Sequence, residues 1–186
     1  MRLNGLIGGA ILIVCAAGTA VADDDRYHHY NWKGKYKSDY FACATTHPVE
    51  FDGTIAEAAI ATEALSTLVE LVVAAGLVDA LNGEGPLTVF APTNEAFENI
   101  PATVLGAIGA DVDLLTAVLT YHVVPGLKDP RWTYRKIREV ETLQGQTLFF
   151  NRDSGPQVNQ SNVACQPVHT TNGIVYVIDS VLLPQF

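Results

Sequence analysis

The chain is short of basic residues: 11 Lys and Arg stand against 20 Asp and Glu in 186 residues, a formal net charge of −9. Neutralising phosphates requires a surplus of cations, so a general nucleic-acid binder is disfavoured and no nucleic-acid partner is expected. The negative surplus favours a soluble chain that is a monomer or at most a weak dimer. Short catalytic signatures are also missing, with no Gly-x-Ser-x-Gly, no His-Glu-x-x-His and no phosphate-cradling glycine loop. A nucleophile beside a base, or carboxylates at a defined separation, would be needed for an enzyme. The expectation is therefore a non-enzyme without a cofactor. Length sets a further limit, because 186 residues suffice for one full core but not for two ordinary domains and a linker.

Residues 1–22 read as a secretory signal. Arg2 supplies the charged start, Leu6 to Val14 the apolar run, and Ala20-Val21-Ala22 the small-residue cleavage site before Asp23. An uncleaved anchor is the alternative, but Gly8-Gly9 interrupts the run and the Ala-Val-Ala ending favours cleavage. Cleavage leaves ten basic against twenty acidic side chains, a net charge of −10, and no membrane span. The product is expected to be exported, periplasmic or extracellular.

The same cut removes Cys15, leaving only Cys43 and Cys165 of the three cysteines. An even pair in an oxidising compartment is expected to be bonded, with two buried thiols as the alternative. A thiolate nucleophile is disfavoured, since no His or basic cluster in the sequence adjoins either cysteine.

Asp23 to Pro48 is polar and aromatic, has no helical or strand period, and reads as an extension docked on the domain and held by Cys43. The divisions are 1–22 for the signal, 23–50 for the extension and 51–186 for the domain. Thr54-Ile55-Ala56-Glu57 has capping-box spacing. The helix that follows carries Leu65, Leu68, Val69 and Val72 on one stripe and stops at Gly76. A short turn of helix is predicted over Leu77 to Leu81, and a buried strand over Leu87 to Phe90. Further helices are predicted after Thr93-Asn94, after Pro101, and after Asp111 or Asp113. Strands are then expected at Thr142-Leu143, Thr147 to Phe150, Gln157 to Val163, Val168-His169 and Ile174 to Leu183, separated by turn residues. Helices first and strands later make the class α+β.

Three stretches stand out in order: Thr88-Val89-Phe90-Ala91-Pro92-Thr93-Asn94-Glu95-Ala96-Phe97, then Tyr121-His122-Val123-Val124-Pro125-Gly126, then Asn172-Gly173-Ile174-Val175-Tyr176-Val177-Ile178-Asp179-Ser180-Val181-Leu182-Leu183-Pro184. Together they resemble the fasciclin (FAS1) domain family over about Phe51 to Phe186. The resemblance implies a wedge of mostly antiparallel strands packed with several helices. It also implies export, and adhesion or matrix contact without catalysis, with a protein or polysaccharide of a cell surface or matrix as partner. No copy of the family's integrin-binding motifs is found, so integrin binding is not implied.

Within the resemblance, the first block reads as a strand-to-helix corner bent by Pro92 and capped by Asn94. Tyr121 and His122 match the family's Tyr-His pair, which implies a packing and hydrogen-bonding element sometimes used in adhesive contacts. In the third block, Ile174, Tyr176 and Ile178 alternate with Val175 and Val177, so both faces are apolar and the strand is central or covered.

Two segments depart from the family. Lys128 to Glu141 is locally basic, with Arg131, Arg135 and Arg138 beside Trp132 and Tyr134, a composition suited to acidic polymers through charge and stacking. A solvated loop whose cations pair with the acidic surface is the bland reading. The candidate partner-binding residues are Tyr121, His122, Arg131, Trp132, Arg135 and Arg138. The extension instead offers Asp23, Asp24, Asp25, His28 and His29, a mixture of carboxylates and imidazoles that suggests metal or small-ligand binding through His28 and His29.

Overall fold

Residues 43–131, 137–151 and 155–185 are described by a computed structural model of the chain. Val49–Glu50 forms β1, so the described fold includes residues before the expected domain start at Phe51, and Cys43 and Ala44 are already buried. Thr54 caps α1 (Ile55–Ile60) with the anticipated capping box. Its hydroxyl accepts from Glu57 N, and the Glu57 carboxylate accepts from Thr54 N at 2.8 Å.

The predicted long helix is divided. Thr62 leaves helical geometry, and its hydroxyl donates to the Ala58 carbonyl at 2.9 Å, which ends α1. A single 3-10 turn (Glu63–Leu65) then redirects the chain into α2 (Ser66–Ala74), which buries Leu68 and Val72. Gly76 follows at φ +67°, the left-handed stop that a side chain would resist. The short helix α3 (Val78–Asn82) leads to β2 (Leu87–Pro92), which is buried almost throughout.

At the strand-to-helix corner the cap is Thr93, not Asn94. The Thr93 hydroxyl accepts from Ala96 N at the start of α4 (Asn94–Glu98). Asn94 reaches sideways instead, accepting from Thr67 N and donating to the Glu63 carbonyl, which joins the corner to the first turn of α2. Then come α5 (Ala102–Ala110), with Pro101 one place ahead of it, and α6 (Val112–Tyr121), capped by Asp111.

The remaining strands are β3 (Val123–Pro125), β4 (Ile137–Glu141), β5 (Thr147–Asn151), β6 (Gln157–Val158), β7 (Ser161–Asn162), β8 (Val168–Thr170) and β9 (Gly173–Ile178). Thr142, expected in a strand, lies in the turn after β4, where its N–H and hydroxyl both donate to the Gln146 carbonyl. The strand expected over Gln157 to Val163 folds back at Asn159, whose φ of 53° is tolerated by Asn better than by most residues.

One sheet has the order β1-β8-β9-β2-β3, and the other β4-β5-β6-β7. Parallel pairing occurs at β1/β8 and β2/β9, and all other pairs are antiparallel, so the class is α+β as expected. The five-stranded sheet is covered on both faces. Val89, Ala91 and Val175 pack against Ile55, Leu68, Leu115 and Leu119 of the helices. Phe90, Ile174, Tyr176 and Ile178 pack against Leu148, Phe150 and Val158 of the second sheet. Phe90 meets Phe150 edge-on at 5.6 Å and lies stacked on Tyr176 at 5.9 Å. Burial of each of the two Phe rings contributes about 2–3 kcal/mol.

Candidate functional site

The sequence placed the interaction face on a Tyr-His pair and a basic segment, and the fold treats these residues differently. Tyr121 and His122 close α6, and both are buried. His122 is 2% exposed. Its Nδ1 lies 2.8 Å from the Val118 carbonyl and its Nε2 2.9 Å from the backbone N–H of Leu182. That pairing selects one tautomer: Nδ1–H donates and Nε2 accepts. Burial lowers the pKa to about 4, against a smaller opposing effect from the Val118 carbonyl, so the ring is neutral near pH 7. The Tyr121 hydroxyl donates to the Thr147 carbonyl at 3.2 Å and accepts from Asn159 Nδ2 at 3.1 Å. Both side chains are spent on joining α6 to later segments, which is the packing role expected for the pair.

Arg131, a candidate partner-binding cation of an exposed basic segment or, on the bland reading, part of a solvated loop, is instead 5% exposed. Its Nε and Nη2 grip the Asp129 carboxylate, at 3.0 and 2.8 Å. Nη1 donates to the carbonyls of Thr46 at 2.8 Å and of Cys165 at 3.0 Å. The guanidinium also lies 5.8 Å from the centroid of the Tyr176 ring. Burial works against its charge, but Asp129 outweighs that cost and holds the group cationic. Burial, with the Asp129 carboxylate adding to it, raises the Tyr176 phenol well above its ordinary value, so it stays protonated.

Cys43 and Cys165 are bonded across 122 positions of sequence. Arg131 therefore bridges the chain on both sides of that bond, through Thr46 and through Cys165 itself. The segment leading to Arg131 is fixed as well. The buried Thr88 hydroxyl donates to the Gly126 carbonyl at 2.7 Å and accepts from Lys128 N at 2.9 Å. Gly126 N donates to the Pro86 carbonyl at 2.8 Å.

Past this anchor, Trp132, Tyr134 and Arg135 lie outside the described residues, as do His28 and His29. The chain returns as β4, with Arg138 exposed and in register with Phe150. Of the six candidates, then, three are interior, two are undescribed and Arg138 is at the surface. Among the described residues, no three of His, Cys, Asp and Glu are grouped to hold a metal ion, and no single helix is long and apolar enough to cross a membrane.

Sequence reasoning missed Asn172. Its Oδ1 accepts from Ile55 N, and its Nδ2 donates to the carbonyls of Leu81 and Gly83. One amide thus ties the start of α1 to the end of α3, and only its place in the third motif hinted at a role.

Comparison with known proteins supplies the remaining facts. The sequence model of the Fasciclin domain matches residues 63–184. Protein sll1483 of Synechocystis is 44% identical over 136 residues, covering 70% of this chain and 73% of that protein. The cell surface glycolipoprotein MPB83 of Mycobacterium bovis is 46% identical over 110 residues, covering 58% of this chain and 48% of its own. A FAS1 domain pair from the insect cell adhesion molecule Fasciclin I superposes with a TM-score of 0.52 at 23% identity, covering 64% of this chain and 45% of that one.

Proposed function

Because the chain belongs to the Fasciclin domain family, we propose that it is an exported, non-catalytic adhesion module that binds an acidic protein or polysaccharide of a cell surface or matrix. The binding face runs from the Arg131 anchor through Trp132 and Arg135 to Arg138. The relative named a cell surface glycolipoprotein and the fold shared with a cell adhesion molecule support this reading.

The observation that carries it is the anchor. Arg131 and Lys128 are held by Asp129, Thr88 and two carbonyls beside the disulfide, so the basic-aromatic segment departs from a rigid base. A rigid base lowers the ordering cost of binding. The interior supports a non-catalytic role too, since both nitrogens of His122 are bonded to backbone.

Retention of the purified chain on immobilised heparin, a sulfated polysaccharide, tests the proposal. Binding is expected at low salt and should weaken as salt screens the cations. The double variant Arg135→Ser/Arg138→Ser, and separately Trp132→Ala, should lower it several-fold. Retention unchanged in both variants, but lost when residues 23–42 are removed, would transfer the face to the extension and overturn the assignment.

A further inference from the structure

The helical side of the central sheet is incompletely filled. Between α1, α2 and α3 lies a cavity of about 30 Å³, and across a thin wall from it a second of about 50 Å³. One water needs roughly 10–15 Å³ on this scale, so each space could take two or more by size. Chemistry excludes them, because a buried water requires two to four polar partners. Aliphatic side chains alone line the first cavity. Thr120 and His122 are the polar side chains lining the second, and both are committed to backbone: the Thr120 hydroxyl donates to the Thr116 carbonyl at 2.7 Å, and both nitrogens of His122 are engaged.

We propose that the two cavities form one binding site for the end of an unbranched hydrocarbon chain, with Leu68, Val72, Leu81 and Val89 as the wall they share. The rim supports this. Ile60 and Val73 line the first cavity and are 64% and 60% exposed, among the most exposed large aliphatics of the described residues. An apolar path therefore runs from solvent to the interior, and a chain entering along it never leaves apolar contact.

The wall supports it as well. Leu81 belongs to α3, a five-residue helix that buries no residue and has no side-chain cap at its start. Asn172 holds α3 by the Leu81 and Gly83 carbonyls, so the two spaces join by rotation of the Leu81 side chain and not by movement of the helix. No charged side chain lines either cavity, so a polar headgroup stays in water, and sugars, peptides and anions find no partner inside. Neither Tyr176 nor Arg131 lines either cavity, so the site goes beyond the adhesion reading and does not depend on it.

Methyl NMR of the purified chain tests the proposal with two probes, 1-octanol in solution and phosphatidylcholine vesicles. Saturable shifts are expected at the methyls of Ile60, Val73 and Leu81, with Leu148 in the second sheet unmoved. Shifts with octanol identify a free chain as the ligand source, and shifts with vesicles alone identify a bilayer lipid. Ala59 lines the first cavity, so Ala59→Leu fills it and should abolish the shifts while raising Tm. Val73→Thr, changed only at the exposed rim, should weaken octanol binding several-fold without unfolding the chain. The absence of saturable shifts with both probes, or shifts that survive Ala59→Leu in a folded protein, overturns the site.

Discussion

His122 Nε2 accepts a hydrogen bond at 2.9 Å from the backbone N–H of Leu182, sixty positions later in the chain. The imidazole thereby joins the end of α6 to the C-terminal segment, which leaves the sheet after β9. No apolar side chain could hold that N–H, and an unpaired buried donor costs about 1–3 kcal/mol. The Tyr-His step is thus a structural joint, and it acts only while the ring is neutral.

The dependence on neutrality gives a pH prediction. The folded pKa of about 4 lies below the ordinary 6.5, so the unfolded chain takes up a proton first as pH falls. Stability from this group is full above about pH 6.5 and is lost as pH drops to 4. The expected loss is about 3 kcal/mol between pH 8 and pH 4, from a difference of roughly 2.5 pKa units. Urea midpoints measured across that interval should fall on acidification. In His122→Gln the slope should be shallower by the same amount, and an unchanged slope would show that other groups dominate.

How much of this was legible in sequence follows the range of the interactions. The capping box at Thr54 lies within three positions of its partners, so spacing alone located it, and the same spacing narrowed the cap of α6 to Asp111 or Asp113, of which the structure uses Asp111. The alternation of Ile174, Tyr176 and Ile178 with Val175 and Val177 correctly predicted a strand covered on both faces. Arg131 was misplaced because nothing local betrays its burial. Its carbonyl partners are 85 and 34 positions away, and a cation among cations reads as a solvated loop. Asn94 was mistaken for the cap for a related reason. It and Thr93 both have capping chemistry, and its tie to Thr67, 27 positions back, decides between them. The break between α1 and α2 was hidden because the apolar stripe continues through a 3-10 turn while the axis changes direction.

Gly173 is fixed by its neighbours, not by its dihedral angles. A Cβ there would run into the Leu87 carbonyl of the parallel partner strand and come within 2.8 Å of Ile55 Cδ1. Gly173→Ala should therefore cost about 2–3 kcal/mol by overpacking, with the β2/β9 pairing forced apart at its start. Gly106 offers a control, since nothing lies within 4 Å of a Cβ at that position in α5. Gly106→Ala should stabilise by up to about 1 kcal/mol through helix propensity. Urea unfolding of the two variants should give opposite signs.

The disulfide closes a loop spanning 122 positions. Chain entropy for a loop of that length corresponds to about 5 kcal/mol before any strain. The Cys43→Ser/Cys165→Ser variant should show a loss of that order in urea at pH 7. Wild-type protein unfolded in the presence of dithiothreitol should match it. A loss well under 2 kcal/mol would mean that the reduced native state relaxes by releasing residues 43–50, or that the unfolded chain keeps residual structure, against the chain-entropy account.

Arg131 is the most sensitive single position on this account. The Arg131 side chain is 7% exposed and its Asp129 partner 30% exposed, so truncating the cation should cost less than the roughly 3–5 kcal/mol typical of a fully buried pair. Arg131→Ala would strand Asp129 and free the Thr46 and Cys165 carbonyls together. Arg131→Lys keeps the charge but lacks the fork that grips a carboxylate and two carbonyls at once, so it should recover less than half of the loss. Asp129→Asn should also destabilise, and the double variant Arg131→Ala/Asp129→Asn should cost clearly less than the sum of the singles, because the two side chains are in direct contact. Urea unfolding of the four proteins measures that coupling. Strict additivity would show that the guanidinium is held by the carbonyls and the Tyr176 ring, with the carboxylate incidental.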